Sequence, residues 1–241
     1  MDSRIIARMR IFAIIPARSG SRRIPDKNIH RINGTPLMGI VLNKLKANGL
    51  FFEIIVSTDS AIFAQIAREY EVSIPELRPS NLADDTTSTY DVMKYEITRA
   101  THISAEDIVF CVYPTAILHN AKDLQKAIES LIKNPLGYVI SSSENGNSLL
   151  RSYTFKNDVM EMLFAEYFNY RSQDLPRVYS DAGMFYAATK HTWMTMQIEY
   201  GGVNRIIEIP KSRAVDINDC EDLRIAELLF RHENDVNEES K

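Results

Sequence analysis

One short loop gathers several groups that could bind a charged ligand. Residues Ile15 to Asn28 read Ile-Pro-Ala-Arg-Ser-Gly-Ser-Arg-Arg-Ile-Pro-Asp-Lys-Asn. Gly20 permits a tight turn that can present backbone N–H groups to a ligand. Ser19 and Ser21 add hydroxyl donors. Arg18, Arg22 and Lys27 supply charged donors suited to phosphate oxygens. Arg23 either joins them or faces solvent. The glycine spacing matches neither a Walker A loop nor a GxGxxG fingerprint. Two readings stay open on composition: an anion site of another design, or a solvated basic loop.

Three further segments carry polar groups at suggestive spacing. Leu77-Arg-Pro-Ser-Asn-Leu-Ala-Asp-Asp-Thr-Thr-Ser-Thr89 places Arg78 before a proline, which holds it extended. At least one hydroxyl in Thr86–Thr89 is expected to cap a helix that begins near Tyr90. Val215-Asp216-Ile217-Asn218-Asp219 sets oxygen ligands at alternating positions. On an extended segment these project to one side, a geometry that holds Mg²⁺ when waters and substrate phosphates complete the shell. The competing reading is that Asn218-Asp219 caps the last helix. Arg171-Ser-Gln-Asp-Leu175, followed by Tyr179-Ser-Asp-Ala-Gly183, is rich in groups that suit a hydroxylated, amide-bearing sugar acid, or simply forms polar loops. His30 lies near the first loop. His102, His119, His191 and His232 show no metal-binding spacing, and no nucleophile–His–acid set stands out.

The elements that must position these groups alternate in type. Ile11–Ile15, Glu53–Ser57, Ile108–Val112 and Tyr138–Ser142 read as buried strands. Between them Leu37–Ala47, Ser60–Tyr70, Tyr90–Ala100 and Ala121–Lys133 have helical spacing, with Asp59-Ser60 and Asn120 as N-caps. This alternation predicts a three-layer α/β fold, a mostly parallel sheet with helices on both faces. Ligands in such sheets bind beyond the carboxyl ends of the strands, where the Pro16–Asn28 loop falls. The pattern breaks after about residue 143, with a hairpin of Ser152–Phe155 and Val159–Leu163 turning at Lys156-Asn157-Asp158. It resumes with Gly183–Ala187, Arg205–Ile209 and a final helix, Cys220–His232. The expected organisation is a main domain of 9–142 and 181–232, an insertion of 143–180 and a frayed tail of 233–241.

Composition sets the outer limits. The chain has 241 residues, 45% hydrophobic and 25% charged, ordinary for a globular protein. Its net charge of −4 argues against general nucleic-acid binding. Residues 1–31 nevertheless carry eight Lys and Arg against two Asp, so the remainder is strongly acidic and the cationic end suggests a local anion site. No apolar run approaches the roughly 18 residues of a membrane helix. The run Ile11–Ile15 is too short for a signal peptide, and Met9 is read as the start of the recognisable pattern. Two cysteines, Cys111 and Cys220, make a disulfide framework improbable and a reducing cytoplasm the expected setting.

Taken together, these segments resemble the nonulosonic acid cytidylyltransferases, the CMP-sialic acid synthetase family. The first loop is similar to the family pattern A-R-x-G-S-K-R-I-x-x-K-N. Val56-Ser-Thr-Asp59 matches its second-strand motif, and Leu77–Thr89 its L-R-P-x-x-L-A-D-D segment. Asn169-Tyr-Arg-Ser-Gln-Asp-Leu175 with Asp181-Ala-Gly183 looks most like the pseudaminic acid branch. The resemblance spans about Met9 to Arg231. It implies a Rossmann-like nucleotide-diphospho-sugar transferase fold and a small dimerisation insertion that reaches over the partner's site.

It also implies roles. Arg18, Ser21, Arg22 and Asn28 would bind the triphosphate of CTP, with Lys27 nearby and Arg18, Arg22, Lys27 and Asp216 as the catalytic set. Arg78 and Thr89 would lie around cytosine and ribose. Asp216 would hold catalytic Mg²⁺, with Asn218 as a second ligand. Arg171, Gln173, Tyr179 and Asp181 would face an acidic nine-carbon sugar. The implied partners are CTP, that sugar and a second copy of the chain as a homodimer, with no nucleic acid and no membrane. The implied reaction is attack of the sugar's anomeric hydroxyl on the α-phosphate, helped by positioning and charge neutralisation. The alternatives are a cytidylyltransferase for N-acetylneuraminate, legionaminate or a 3-deoxy-octulosonate, or a non-catalytic nucleotide-binding regulatory module. Three positions depart from the family pattern: Arg22 stands for lysine, Ser180 for histidine, and Asn218 for a second aspartate.

Overall fold

The computed structural model describes residues 9–199 and 201–239. Arg4 and Arg8, counted in the cationic N-terminal block, lie outside them. In chain order the elements are β1 (Ile11–Pro16), the short pair β2 (Arg31–Ile32) and β3 (Thr35–Pro36), α1 (Leu37–Ala47), β4 (Glu53–Ser57), α2 (Ala61–Arg68), α3 (Thr89–Arg99), β5 (Ile108–Val112) and α4 (Ala121–Lys133). Next come β6 (Val139–Glu144), the hairpin β7 (Tyr153–Lys156) and β8 (Val159–Met162), β9 (Tyr179–Thr189), α5 (Lys190–Thr195), β10 (Arg205–Glu208) and α6 (Cys220–Glu239).

Six strands form one sheet in the order β10-β6-β9-β5-β1-β4. All neighbours are parallel except β9, which runs antiparallel to both β5 and β6. Side chains alternate across this sheet as strand geometry requires. Ala13, Ile15, Phe110 and Val112 point to one face and pack with Leu37, Val41, Leu124, Leu131 and Leu223 from α1, α4 and α6. Phe12, Ile14, Val109 and Cys111 point to the other and pack with Met93 and Ile97 of α3 and Trp193 of α5. Burial on both faces explains why β1 and β5 read as unbroken apolar runs. The expected three-layer architecture is present, with one antiparallel strand inside the sheet.

Local chemistry sets the helix starts. Ser60, Ser88, Asn120 and Thr189 each accept a backbone N–H from the third residue on. The cap before α2 is Ser60 alone, and the Asp59 side chain turns instead to the loop after β1. The last helix runs to Glu239, past the His232 end that apolar spacing suggested.

Two departures bear on the site. The strand expected over Gly183–Ala187 extends over Tyr179–Thr189, because its polar first half still pairs backbone to backbone with β6 at Ser142, Ser143 and Glu144. Between the pairs Ile140–Tyr186 and Ser142–Asp181 the register slips, so several residues of β9 face the one residue Ser141. The Ser141 hydroxyl accepts from the N–H groups of Met184 and Phe185 at 3.3 and 2.9 Å, which holds this bulge. In the hairpin, Lys156 pairs with Val159, so the turn is the two residues Asn157 and Asp158, at φ 52° and 62°. Two successive left-handed residues match the twist of the strands they join.

Candidate active site

β1, β4 and β5 end side by side at Pro16, Ser57 and Val112, and the loops beyond them enclose a cleft of about 470 Å³. Arg18, Ser21, Arg22, Arg23, Lys27, Asn28, Arg78, Thr89 and Asn218 all line it. Residues far apart in the chain thus meet at the carboxyl edge of the sheet. Five of them are cationic, so the cleft favours an anion with several charges.

The first loop is pinned from within and from outside. Asn28 is buried, and its Nδ2 donates to the Arg18 carbonyl at 2.9 Å, closing the loop on itself. The Asp59 carboxylate accepts from the N–H and the hydroxyl of Ser19, at 2.9 and 2.6 Å, tying this loop to the end of β4. Gly20 turns without a left-handed φ, and open space surrounds the position a Cβ would take; the left-handed residue here is Asp26, at φ 52°. Hydrogen bonding, more than glycine, shapes the turn. Arg18 and Arg22 both pair with Asp85, Arg18 at 2.7 Å. Lys27 Nζ donates to the Ile217 carbonyl at 2.5 Å, and burial pulls its pKa down while the nearby Asp216 carboxylate opposes this.

Spacing alone missed Asp85, Asp84, Tyr113 and Thr115, which also line the cleft. Asp84 accepts from the N–H and hydroxyl groups of both Thr86 and Thr87, which stabilises its charged form and takes its pKa down to about 2. The run Asp-Asp-Thr-Thr was the available signal, since an Asx turn favours such neighbours. Thr89 Oγ1 shares a hydrogen bond of 2.8 Å with the Tyr113 hydroxyl, whose pKa burial pushes up. Arg78 is only 4% exposed, and its backbone N–H donates to the Thr58 carbonyl at 2.8 Å.

Asp216 adjoins the cleft through Asn218, which lines it. The Asp216 carboxylate accepts from Asn218 Nδ2 at 2.8 Å, while Asn218 Oδ1 accepts from Arg23 at 2.7 Å. The Asn218 oxygen is therefore turned to an arginine. The capping reading of this segment holds for Asp219, which accepts from the N–H groups of Glu221 and Asp222 at the start of α6. The bulge of β9 brings Gly183, at φ 63°, against Asp216, where an added Cβ would stand 2.7 Å from the carboxyl carbon. A missing side chain thus makes the cradle for this carboxylate. Among the described residues no cluster of three or more His, Cys, Asp or Glu is arranged to hold a metal. A lone carboxylate in such a cradle fits a hard cation that arrives with phosphate ligands of its own.

Gly183→Ala tests that cradle, with Gly202→Ala as its control. Both glycines have φ near 60°, but nothing lies within 4 Å of an added Cβ at Gly202. Left-handed strain of about 1–2 kcal/mol should lower Tm by about 2–8 °C in Gly202→Ala, and by more in Gly183→Ala, whose Cβ also meets the Asp216 side chain. Only Gly183→Ala should also lose activity at the cleft, by roughly tenfold or more, because only it displaces a carboxylate. Equal activity in the two variants would remove the cradle from the mechanism.

The residues expected to face a sugar lie elsewhere. Arg171 and Gln173 are exposed on a short turn beyond the hairpin. Tyr179 donates to Glu208 at 3.2 Å, beside Arg177, which pairs with Glu144 and Glu208. Asp181 accepts from the Gly183 N–H at 2.9 Å and from the Tyr186 hydroxyl, and so braces the bulge. None of the four lines the cleft of its own chain.

Comparison with known proteins gives a consistent picture. The sequence profile of the family described as Cytidylyltransferase matches residues 12–208. The chain is 32% identical over 235 residues to pseudaminic acid cytidylyltransferase of Campylobacter jejuni subsp. jejuni serotype O:2, covering 96% of this chain and 99% of that one. It is 33% identical to the Helicobacter pylori protein named pseudaminic acid cytidylyltransferase and UDP-2,4-diacetamido-2,4,6-trideoxy-beta-L-altropyranose hydrolase, covering 92% of this chain and 43% of that longer one. Among solved structures, CMP:2-keto-3-deoxy-manno-octonic acid synthetase complexed with CTP superposes with a TM-score of 0.71 at 15% identity, over 93% of this chain and 99% of that one, a likeness of fold.

Proposed function

The chain belongs to the cytidylyltransferase family, and we propose that it couples CTP to a nonulosonic acid, pseudaminic acid first among them, releasing pyrophosphate. The observation that carries this reading is the convergence of Arg18, Arg22, Arg23, Lys27 and Arg78 on one cleft at the carboxyl edge of the sheet. Such a set neutralises a triphosphate, and charge neutralisation is the main demand of phosphoryl and nucleotidyl transfer. The anomeric oxygen of the sugar forms a bond to the α-phosphorus as the bond to the β-phosphate oxygen breaks, and pyrophosphate carries away the bonding pair.

Arg18 and Arg22 release Asp85 to bind phosphate oxygens, and Asn28 and Asp59 hold the loop that presents them. Arg78 and Thr89 border the nucleoside end. Mg²⁺, when bound, would be held by Asp216 together with nucleotide oxygens and would supply further charge neutralisation. No helix among the described residues is long and apolar enough to cross a membrane, and Cys111 and Cys220 are free thiols. A cytoplasmic setting belongs to this proposal.

The test is pyrophosphate release by the purified protein with CTP, Mg²⁺ and a panel of nonulosonic acids. Pseudaminic acid is expected to give the highest kcat/KM. A higher value for N-acetylneuraminate, a legionaminate or a 3-deoxy-octulosonate would reassign the sugar. No release with any of them would overturn the function.

A homodimer is part of the proposal. Phe155, Val159, Met160, Leu163 and Phe168 are each more than half exposed, along and just past the hairpin. Monomeric proteins rarely expose apolar groups in such numbers together. A second copy would cover them and would bring Arg171 and Gln173 toward a cleft that its own chain leaves them out of. Light scattering at micromolar concentration should give twice the chain mass; a monomer would contradict the dimer.

A further inference from the structure

Behind the wall of the cleft Arg78 is backed by two buried polar residues, Ser57 and Glu96, that the proposed mechanism leaves without a role. Arg78, Ser57 and Glu96 are 4%, 1% and 2% exposed. The Ser57 hydroxyl donates to Glu96 Oε1 at 2.8 Å. Its proton thus committed, the hydroxyl oxygen turns lone pairs toward Arg78, whose guanidinium NH1 lies 3.5 Å away. Glu96 comes from the second half of α3, and its other oxygen is 3.7 Å from Arg99 at the end of that helix. The acid therefore sits between two arginines, one lining the cleft and one on the far side. Arg78 Nε is buried with no hydrogen-bond partner among the described residues. With so few direct bonds, the Arg78 guanidinium is held by the long Ser57 contact and by the nearby charges of Asp59 and Glu96.

We propose that Glu96 is a positioning residue for nucleotide binding: through Ser57 it holds the Arg78 guanidinium in place at the wall of the cleft that Arg78 lines, ready for an acceptor on the bound nucleotide. The inference rests on the reading of the cleft as the CTP site. Dry surroundings strengthen the arrangement, since a hydrogen bond polarised by a carboxylate is stronger in a low dielectric than in water. Burial itself pushes the Glu96 pKa up, while the Ser57 hydrogen bond and the two arginines oppose that shift. Glu96 does not line the nucleotide cleft, so its effect must pass through the arginine.

The experiment is a double-mutant cycle read by CTP calorimetry and by steady-state kinetics. Glu96→Gln removes the charge and keeps the shape, and Ser57→Ala removes the relay hydroxyl with little change in volume. Each should raise the Kd and KM for CTP by about two- to tenfold, the range of one buried hydrogen bond, while kcat stays within about twofold. In an Arg78→Ala background, neither should weaken CTP further, because the group they orient is gone. Ser57→Ala keeps the cycle readable if Glu96→Gln fails to fold. Wild-type affinity in the folded Glu96→Gln and Ser57→Ala proteins, or losses that multiply in the Arg78→Ala background, would overturn the positioning role alone. A wild-type protein that binds no CTP would overturn the proposed function as well.

Discussion

Asp216→Asn should lower turnover by roughly a hundredfold or more, since a bound cation contributes several kcal/mol of charge stabilisation. The reason lies in the local inventory. Asp216 is the carboxylate that Gly183 makes room for, and its neighbour Asn218 has its oxygen turned to Arg23. An amide brings only a dipole to a divalent cation, whereas a carboxylate brings a full charge. Lys27 also feels Asp216 as its main compensating charge and would lose it. The paired variant is Asn218→Asp, which should tighten Mg²⁺ binding. Calorimetry gives a readout independent of turnover. Wild type should take up Mg²⁺ weakly alone and firmly with CTP, and Asn218→Asp should bind it measurably without nucleotide. Full activity in Asp216→Asn would move the metal elsewhere. Turnover in Asn218→Asp but not in wild type would favour the regulatory-module alternative.

Arg18→Ala should reduce kcat/KM for CTP by about ten- to a hundredfold, the worth of one charge-assisted hydrogen bond at about 1.5–3 kcal/mol. The fold should survive. The bond that closes the loop comes from Asn28 to the Arg18 carbonyl, which alanine keeps. The Arg18 side chain is 36% exposed, and its partner Asp85 retains Arg22. An unchanged melting temperature with wild-type kinetics would remove Arg18 from the triphosphate site. An equal loss in affinity for pyrophosphate alone would place its effect on the phosphates.

The architecture was legible in the sequence for a physical reason. A strand buried on both faces must be apolar throughout, and a helix covering it must be apolar on one side. Strands β1, β4 and β5 and helices α1 and α4 therefore announce themselves locally. The cationic loop, Arg78, Thr89 and Asn218 stood out by residue type and do line one cleft, but type alone left a solvated loop or helix capping equally open for them. Neighbours in sequence, however, do not identify neighbours in space. That Asp59 holds Ser19 in place of capping a helix, that Asp85 bridges two arginines, and that Glu96 backs Arg78 depend on strands β1, β4 and β5 ending together. The role of Gly183 is the sharpest case. In sequence it is one glycine in a polar run; only the slipped register of β9 brings it against Asp216, and only there does its missing side chain matter. Sequence by itself determined which groups carry charge and hydrogen-bonding capacity, because residue type sets both. Tertiary structure alone decided which of them come together, because strand pairing over long separations sets distances that no local spacing encodes.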